Sequence, residues 1–333
     1  MRVTPDEEQA LIVDVLVANG VQPGRADVQA RWLVEGDRRG HPSHGLQRLP
    51  VIVGRITKGL SAPNSEPELE WRSPSALVVD GKRGLGPCVA VATIDALVDR
   101  ARDAGVALGA VHDANHLGLL APYVERIAAA GLVGIAITTS EALVHPWGGR
   151  TAMVGTNPIA IAVPAEPDPF VLDMATGAVS MGKIIHHRNE GLPLEPGWAI
   201  DDDGRPTSDA SAATAISPFG GAKGYGLGLG FELLVAALTG SALGPAVTGT
   251  LDIETVCNKG DLFFCFDPSV FGSTAWRESA SSFLAELRQT PAQPGTTGVA
   301  VPGDRTRRAR ASQTVELPDA VWAAAHALLT VPV

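Results

Sequence analysis

The chain has 333 residues, of which 45% are hydrophobic and 19% charged, enough for roughly two domains or one elaborate α/β domain and too apolar for wholesale disorder. Its 26 Lys and Arg against 36 Asp and Glu leave a net charge of −10, which argues against a scaffold built to neutralise nucleic-acid phosphates. Cys88, Cys257 and Cys265 form an odd set without CxxC spacing, so no disulfide framework is expected and a reducing cytoplasm fits best. The N-terminus has no basic stretch leading into an apolar one, and the apolar runs break short of the ~20 residues a bilayer span needs. Neither a secretory signal nor a membrane partner is expected.

In chain order, Thr4 before Pro5 with Glu7 three residues on is a capping-box signature, and Ala10, Leu11, Val13, Leu16 and Val17 follow as an apolar helix face that stops near Gly20. A second helix is expected over 26–39, with Val28, Trp32 and Val34 among its buried positions, and a short one over 49–56, ending before Gly59. Residues 61–67 read as a surface connection. From Leu69 on, short β-like runs alternate with helices: strand 76–80, helix 89–104, strand 106–111, helix 119–130, strand 132–138. That pattern is an α/β core. The stretch 146–217 is rich in Gly, Pro and polar residues, with short apolar runs at 159–163 and 170–172, and reads as loop-heavy and functional. A long helix over 225–239, a strand over 262–266 and helices over 281–287 and 320–329 close the chain, with the tail folding back onto the N-terminal helices. The expected division is a helical unit of residues 1–68 plus 305–333 and an α/β core of 69–304, with a loop-rich region at 140–225.

An ordinary Rossmann fingerprint is missing. Gly84-Leu85-Gly86 has Val89 where the third glycine belongs, and Gly224-Tyr225-Gly226-Leu227-Gly228 does not complete the pattern. Instead, His, Arg, Asp and Lys residues sit in Gly/Pro/Thr/Asn turns. Ser43 reads as an N-cap, placing His44 and Gly45 at a helix N-terminus and Arg48 one turn later, an arrangement that suits a carboxylate or phosphate. The same residues also read as a plain cap, a locally bonded histidine and a solvated arginine. His112 and His116 have the spacing of a metal pair, but that needs one helix through both and a third ligand, whereas the strand is expected to end at His112. A histidine at a strand's carboxyl end is better placed for proton transfer, and no metal is expected. The turns at 146–149, 155–158 and 172–177 offer many backbone N–H groups and hydroxyls, as a nucleotide or simply a tight turn requires. Lys223 opening a helix, and Arg305, Arg307 and Arg308 after Pro302-Gly303-Asp304, suit phosphates or plain solvent.

Taken together, Ser43-His44-Gly45 with Arg48-Leu49-Pro50, Asn115-His116-Leu117-Gly118, Pro146-Trp147-Gly148-Gly149, Gly155-Thr156-Asn157-Pro158, Asp173-Met174-Ala175-Thr176, Lys223-Gly224-Tyr225-Gly226-Leu227 and Pro302-Gly303-Asp304 closely resemble the malate/L-lactate dehydrogenase family. The segments match in order over nearly the whole chain. The resemblance implies a non-Rossmann, mixed-sheet α/β fold that binds NAD or NADP, usually as a homodimer. It implies reversible hydride transfer at C2 of a small 2-hydroxy or 2-oxo carboxylate or, in relatives such as Δ1-piperideine-2-carboxylate reductase, reduction of a cyclic 2-imino acid. By the same resemblance His116 moves the proton, Arg48 holds the substrate carboxylate, and His44 is a second candidate proton donor that also borders the cofactor. Ser43 and Thr156 fall on the substrate side. Ser140, Pro146, Trp147, Gly148, Asn157, Asp173, Met174, Ala175, Thr176, Lys223, Gly303, Asp304 and Arg305 correspond to cofactor contacts.

Three positions depart from the family pattern. Ile52 stands where a tyrosine is frequent, His145 where a small residue is common, and Asp304 where the turn usually has glutamate. Losing the phenol counts against ureidoglycolate or malate and favours a more apolar or cyclic substrate. A non-catalytic binding protein on the same scaffold would be expected to lack His116 and Arg48, and a metal hydrolase would have to build on His112 and His116.

Overall fold

The computed structural model describes residues 1–272 and 275–329. Strand β1 (Arg2–Val3) leads into α1 (Pro5–Ala18), where the Thr4 hydroxyl accepts the Glu7 N–H and the Glu7 carboxylate accepts the Thr4 N–H. The buried face of α1 is Glu8, Leu11, Ile12, Val15 and Leu16, while Ala10 and Val17 are exposed. The helix is apolar nearly all round, so periodicity alone could not select its inward side. Helix α2 (Pro23–Arg38) follows, with Ala26, Ala30, Leu33 and Val34 inward and Val28 and Trp32 only half-buried. Two 3-10 turns, Pro42–His44 and Leu46–Arg48, then feed α3 (Leu49–Thr57).

Strands β2 (Glu68–Trp71) and β3 (Ala76–Gly84), helix α4 (Gly86–Ala104) and strand β4 (Val106–Ala114) come next, then α5 (Ala121–Ala129) and β5 (Val133–Thr138). The stretch expected to be loop-heavy holds more structure than that. It contains β6 (Ile159–Val163), β7 (Phe170–Met174), α6 (Met181–Glu190) and three two-residue strands, β8 (Ala199–Ile200), β9 (Pro206–Thr207) and β10 (Ala215–Ile216). Its Gly and Pro residues lie between these short elements and hide them from composition. The chain continues through α7 (Ala222–Thr239), β11 (Asp261–Phe266), α8 (Trp276–Gln289), α9 (Asp304–Arg310), β12 (Val315–Glu316) and α10 (Asp319–Ala327).

The main sheet has seven strands in the order β2-β3-β4-β11-β5-β6-β7. Only β3 and β4 pair in parallel, across the α4 crossover, and every other pairing is antiparallel. This is the mixed α/β sheet expected, and not a doubly wound parallel one. Helices α4 and α5 cover one face through Leu77, Val79, Ile94, Leu97, Tyr123, Ile127 and Phe263. Helix α7 covers the other through Val235 and Phe231 against Ala110, Ile137, Leu262 and Phe264. Central strands buried on both faces read as continuous apolar runs. The terminal segments meet as expected: β1 pairs with β12, and Val315, Leu317 and Ala325 join Leu11, Ile12, Leu16, Leu33, Leu46 and Leu49 in one core. Among the described residues no helix is long and apolar enough to cross a membrane.

Candidate active site

Strand β4 continues through His112 to Ala114, two residues beyond its expected end. His112 therefore lies in the sheet and His116 in the loop after it, so the two do not share a helix face. Asn115 fixes that loop. Its amide donates to the carbonyls of Arg83 (2.7 Å) and Gly84 (2.9 Å), and its Oδ1 accepts Arg55 Nε (2.9 Å). Arg55, on α3, also donates to the carbonyls of Asp252 and Thr255. These bonds bring α3, the end of β3 and the 250–255 loop to one point beside His116.

Ser43 does not cap a helix. Pro42 and the extended Gly45 divide the segment into two 3-10 turns, and Arg48 occupies the N-cap position of α3. Ser43 Oγ lies 3.1 Å from His44 Nδ1, and the His44 and His116 rings are 5.7 Å apart. Arg48 donates to the Thr250 carbonyl, and Thr250 is held by Glu141 through its N–H and hydroxyl. His44, Arg48, Arg55 and His116 share a small cavity of about 30 Å³, walled by Trp32, Leu33, Val51, Ile52 and Leu85. The Arg55 Nη2 has no protein partner there.

Burial, with Arg48 and His41 nearby, pushes His44 down to about 3. Burial, then Arg48, His44, Lys259 and Arg55, hold His116 well below the usual imidazole range. Both rings are neutral at physiological pH. His116 Nδ1 accepts the Gly118 N–H at 3.0 Å, so the neutral ring carries its proton on Nε2.

A second group of predicted residues gathers at the ends of β5, β6 and β7. Ser140 Oγ accepts the Thr156 N–H (3.0 Å) and lies 3.2 Å from Thr156 Oγ1; the Thr156 carbonyl accepts both the N–H and the hydroxyl of Thr176. Asn157, at φ +31°, donates from its side chain to the Gly228 carbonyl (3.0 Å) and Glu232 Oε2 (2.8 Å). Glu232, buried in the otherwise apolar α7, also accepts the N–H groups of Gly155 and Gly244. Replacing Glu232 by leucine leaves these donors without a partner, and chemical denaturation should show a loss of at least about 3 kcal/mol. Cβ atoms at Gly155, in the turn before β6, and at Gly228, inside α7, would run into Asn157 and Thr176, so the chain packs closely at both positions. Because Glu141 follows Ser140 and holds Thr250, this group joins the His116 cavity directly.

The remaining predicted residues divide by environment. Trp147 is 61% exposed and lies over Gly221 at the start of α7, beside the turn at Pro146 and Gly148. Lys223 is exposed in the first turn of α7, and Met174 and Ala175 are half-buried before Thr176. Asp173 Oδ2 accepts the Leu120 and Ala121 N–H groups and so caps α5, and burial raises its carboxyl to about 6. Gly303, at φ +97°, approaches the Val171 carbonyl on β7. Asp304 receives Arg288, Arg307 and the Val301 N–H, and the Arg288 bonds foremost hold it well below the usual carboxylate range. Arg305 is exposed. Next to this turn is an apolar pocket of about 340 Å³ lined by Val163, Phe170, Phe283, Leu287, Val301 and Pro302.

The malate/L-lactate dehydrogenase sequence pattern matches residues 3–325. The chain belongs to the malate/L-lactate dehydrogenase family. It is accordingly an NAD(P)-dependent oxidoreductase acting on the 2-hydroxy/2-oxo acid pair. A solved dehydrogenase from Sinorhizobium meliloti superposes with TM-score 0.94 and is 48% identical, covering 99% of this chain and 98% of that one. L-sulfolactate dehydrogenase of Methanocaldococcus jannaschii is 35% identical over 92% of this chain and 90% of its own length. Δ1-pyrroline-2-carboxylate reductase of Pseudomonas fluorescens is 38% identical over 92% and 91%. Within this member of the family, Arg55, Glu141, Glu232 and Thr250 escaped the sequence reading. A lone acid in the apolar run of α7 was a usable signal for Glu232; Glu141 and Thr250 meet across 109 positions and Arg55 reaches Asn115 across 60 and Asp252 across 197, and such contacts left none.

Proposed function

We propose that this enzyme binds its substrate carboxylate at Arg48 and moves the proton through His116, with His44 as the neighbouring second imidazole. The observation that carries the reading is the single cavity in which two arginines face two neutral histidines beneath an apolar wall. Arg48 offers a fork matched to a carboxylate, with the unpartnered Arg55 Nη2 beside it. In the reductive direction the neutral Nε2–H donates to the C2 oxygen, as a neutral imidazole polarises a carbonyl elsewhere, and delivers its proton there, leaving an imidazolate beside Arg48 that solvent reprotonates once product leaves; the oxidative direction runs the same steps in reverse, the ring first giving its Nε2 proton to solvent. The apolar walls turn water away from the reacting centre.

The residues present fit a nicotinamide dinucleotide. The Ser140 and Thr156 hydroxyls, half-buried at the end of β5 and the start of β6 beside the His116 cavity, offer the donors and acceptors such a group needs. Ser140, Thr156, Asn157 and the 173–176 segment would hold the nicotinamide end, with Pro146–Gly148 and Lys223 toward the phosphates. Gly303 to Arg305 and the neighbouring apolar pocket would hold the adenosine end. When bound, the nicotinamide supplies or accepts the hydride at C2.

The apolar stretch of wall formed by Leu33, Val51, Ile52 and Leu85 with the Trp32 ring supports a second reading, reduction of a cyclic 2-imino acid, whose ring methylenes it would pack against. Absorbance at 340 nm with NADH and NADPH, offered separately against 2-oxo acids and cyclic 2-imino acids, tests both readings. Turnover of one substrate class decides between them, and silence across the panel with folded protein would sink the catalytic reading.

We further infer two working units, 1–68 with 305–333 and 69–304, a cytoplasmic location supported by three unpaired cysteines, and a homodimer. A face of α7 supports the dimer. Leu227, Leu233, Leu234 and Leu238 are each at least 40% exposed on one side of it, the kind of apolar patch that self-association buries. Leu233→Asp with Leu234→Asp should convert the protein to a monomer by light scattering, and an unchanged mass would exclude this face.

A further inference from the structure

Glu8 is fully buried on α1, and neither of its carboxylate oxygens meets a donor. What it faces, within hydrogen-bonding range, is the carboxyl of Asp37 on α2. Asp37 in turn accepts the Leu46 N–H at 2.6 Å, in the middle of the segment that carries His44 and Arg48. Two glycines make this approach possible. A Cβ at Gly45 would run into the Asp37 carboxyl, and one at Gly36 would lie 2.5 Å from the His44 carbonyl oxygen.

No cation neutralises the pair among the described residues. On α1, Glu7 is engaged with Thr4; on α2, Arg38 and Arg39 turn to Glu35, Glu125 and the Arg310 carbonyl. On α10, Asp319 binds the N-terminal amine and His326 packs on Trp322. His41 lies in the field of Arg305 and Arg39, and His44 and Arg48 face the cavity. Two buried carboxylates in contact cannot both ionise without such help, so one proton must lie between them.

We propose that Glu8 and Asp37 share one proton and act as positioning residues, holding the His44–Arg48 turn so that Arg48 meets the substrate carboxylate. The proposal rests on the reading of Arg48 as the carboxylate anchor. The shared proton belongs mainly to Glu8, because no donor meets its oxygens and burial with the Asp37 charge pushes its carboxyl up, whereas the Leu46 N–H favours the ionised form of Asp37. Asp37 is thus the ionised acceptor of the Leu46 N–H, and protonated Glu8 donates to it. Once the pH passes the Glu8 value, the second negative charge drives the two helices apart and loosens the turn.

The test uses the full-length enzyme with its cofactor. KM and kcat for the substrate found at 340 nm, and Tm, are measured from pH 6 to 10 for the wild type, Glu8→Gln, Asp37→Ala, Asp37→Asn and Arg48→Ala. Glutamine imitates protonated Glu8 permanently. An unfolded glutamate is already ionised at pH 6 while buried Glu8 keeps its proton, so wild-type Tm should fall as the pH rises from 6 and level off once Glu8 has ionised; KM should climb at that alkaline end, and both changes should be absent in Glu8→Gln, whose KM at pH 7 matches the wild type. Asp37→Ala should raise KM roughly 10- to 100-fold with kcat changed far less, and Asp37→Asn, which keeps an acceptor for Leu46, should recover most of the loss. If Asp37→Ala does not fold, the Glu8→Gln profile still decides. Matching KM profiles for wild type and Glu8→Gln would overturn the proposal, as would a Tm difference without a KM difference. An Arg48→Ala enzyme with unchanged KM would overturn the anchor reading and this proposal with it, whereas a raised KM there beside an unaffected Asp37→Ala would overturn only the positioning role.

Discussion

His116→Ala should lower turnover roughly 10²- to 10⁴-fold while leaving the dissociation constant for the dinucleotide nearly unchanged. The ring is buried at the base of the cavity, and its Nδ1 is occupied by the Gly118 N–H, so Nε2 is the nitrogen free to meet substrate. Alanine removes the group that moves the proton but touches neither the Ser140–Thr156–Thr176 group nor the apolar pocket beside Pro302. Fluorescence titration with NADH separates the two effects, and a variant that lost cofactor affinity in proportion to rate would be an assembly defect. The pH dependence carries a further sign. If the acid is the neutral ring, kcat/KM for reduction stays level from pH 6 to 8, because burial keeps His44 and His116 from titrating in that range. An imidazolium acid would instead lose about tenfold in rate per pH unit above its pKa, and that slope would refute the neutral-donor assignment.

Arg48→Ala should act on binding. A charge-assisted pair to a carboxylate in a desolvated site contributes about 1.5–3 kcal/mol, so KM should rise roughly 10- to 200-fold. Arg48→Lys should recover only part of this, since an ammonium cannot reproduce the fork. Arg48 is oriented by the Thr250 carbonyl, itself fixed by Glu141, so Glu141→Gln should show a weaker version of the same KM defect. If the kinetics of Arg48→Ala with a carboxylate substrate matched those of the wild type, the anchor would have to be sought at Arg55.

Several elements were legible because local chemistry alone specifies them. The Thr4–Glu7 capping box, α3 and strands β3, β4, β5 and β11 needed only spacing and apolar runs. The short strands β6 and β7 were read as runs inside a loop region, since five residues between glycines and prolines carry too little period to assert themselves. Ser43 looked like a helix cap because a serine before a turn usually is one. The turn is decided instead by Asp37, which takes the Leu46 N–H from nine residues upstream.

What the sequence by itself determined was membership: the motif order, the absence of a Rossmann glycine pattern, and the residue types for proton transfer and carboxylate binding at positions 44, 48 and 116. Only the tertiary structure decided how they meet. It placed His112 in the sheet and His116 in the cavity, gave Asp173 to the N-terminus of α5 and Asp304 to two arginines, and left four leucines of α7 exposed. It also supplied Glu8, Asp37, Glu141 and Glu232. The reason is physical. A motif records which groups are available, but burial, tautomer and the occupancy of each hydrogen bond depend on partners that the fold brings from distant parts of the chain.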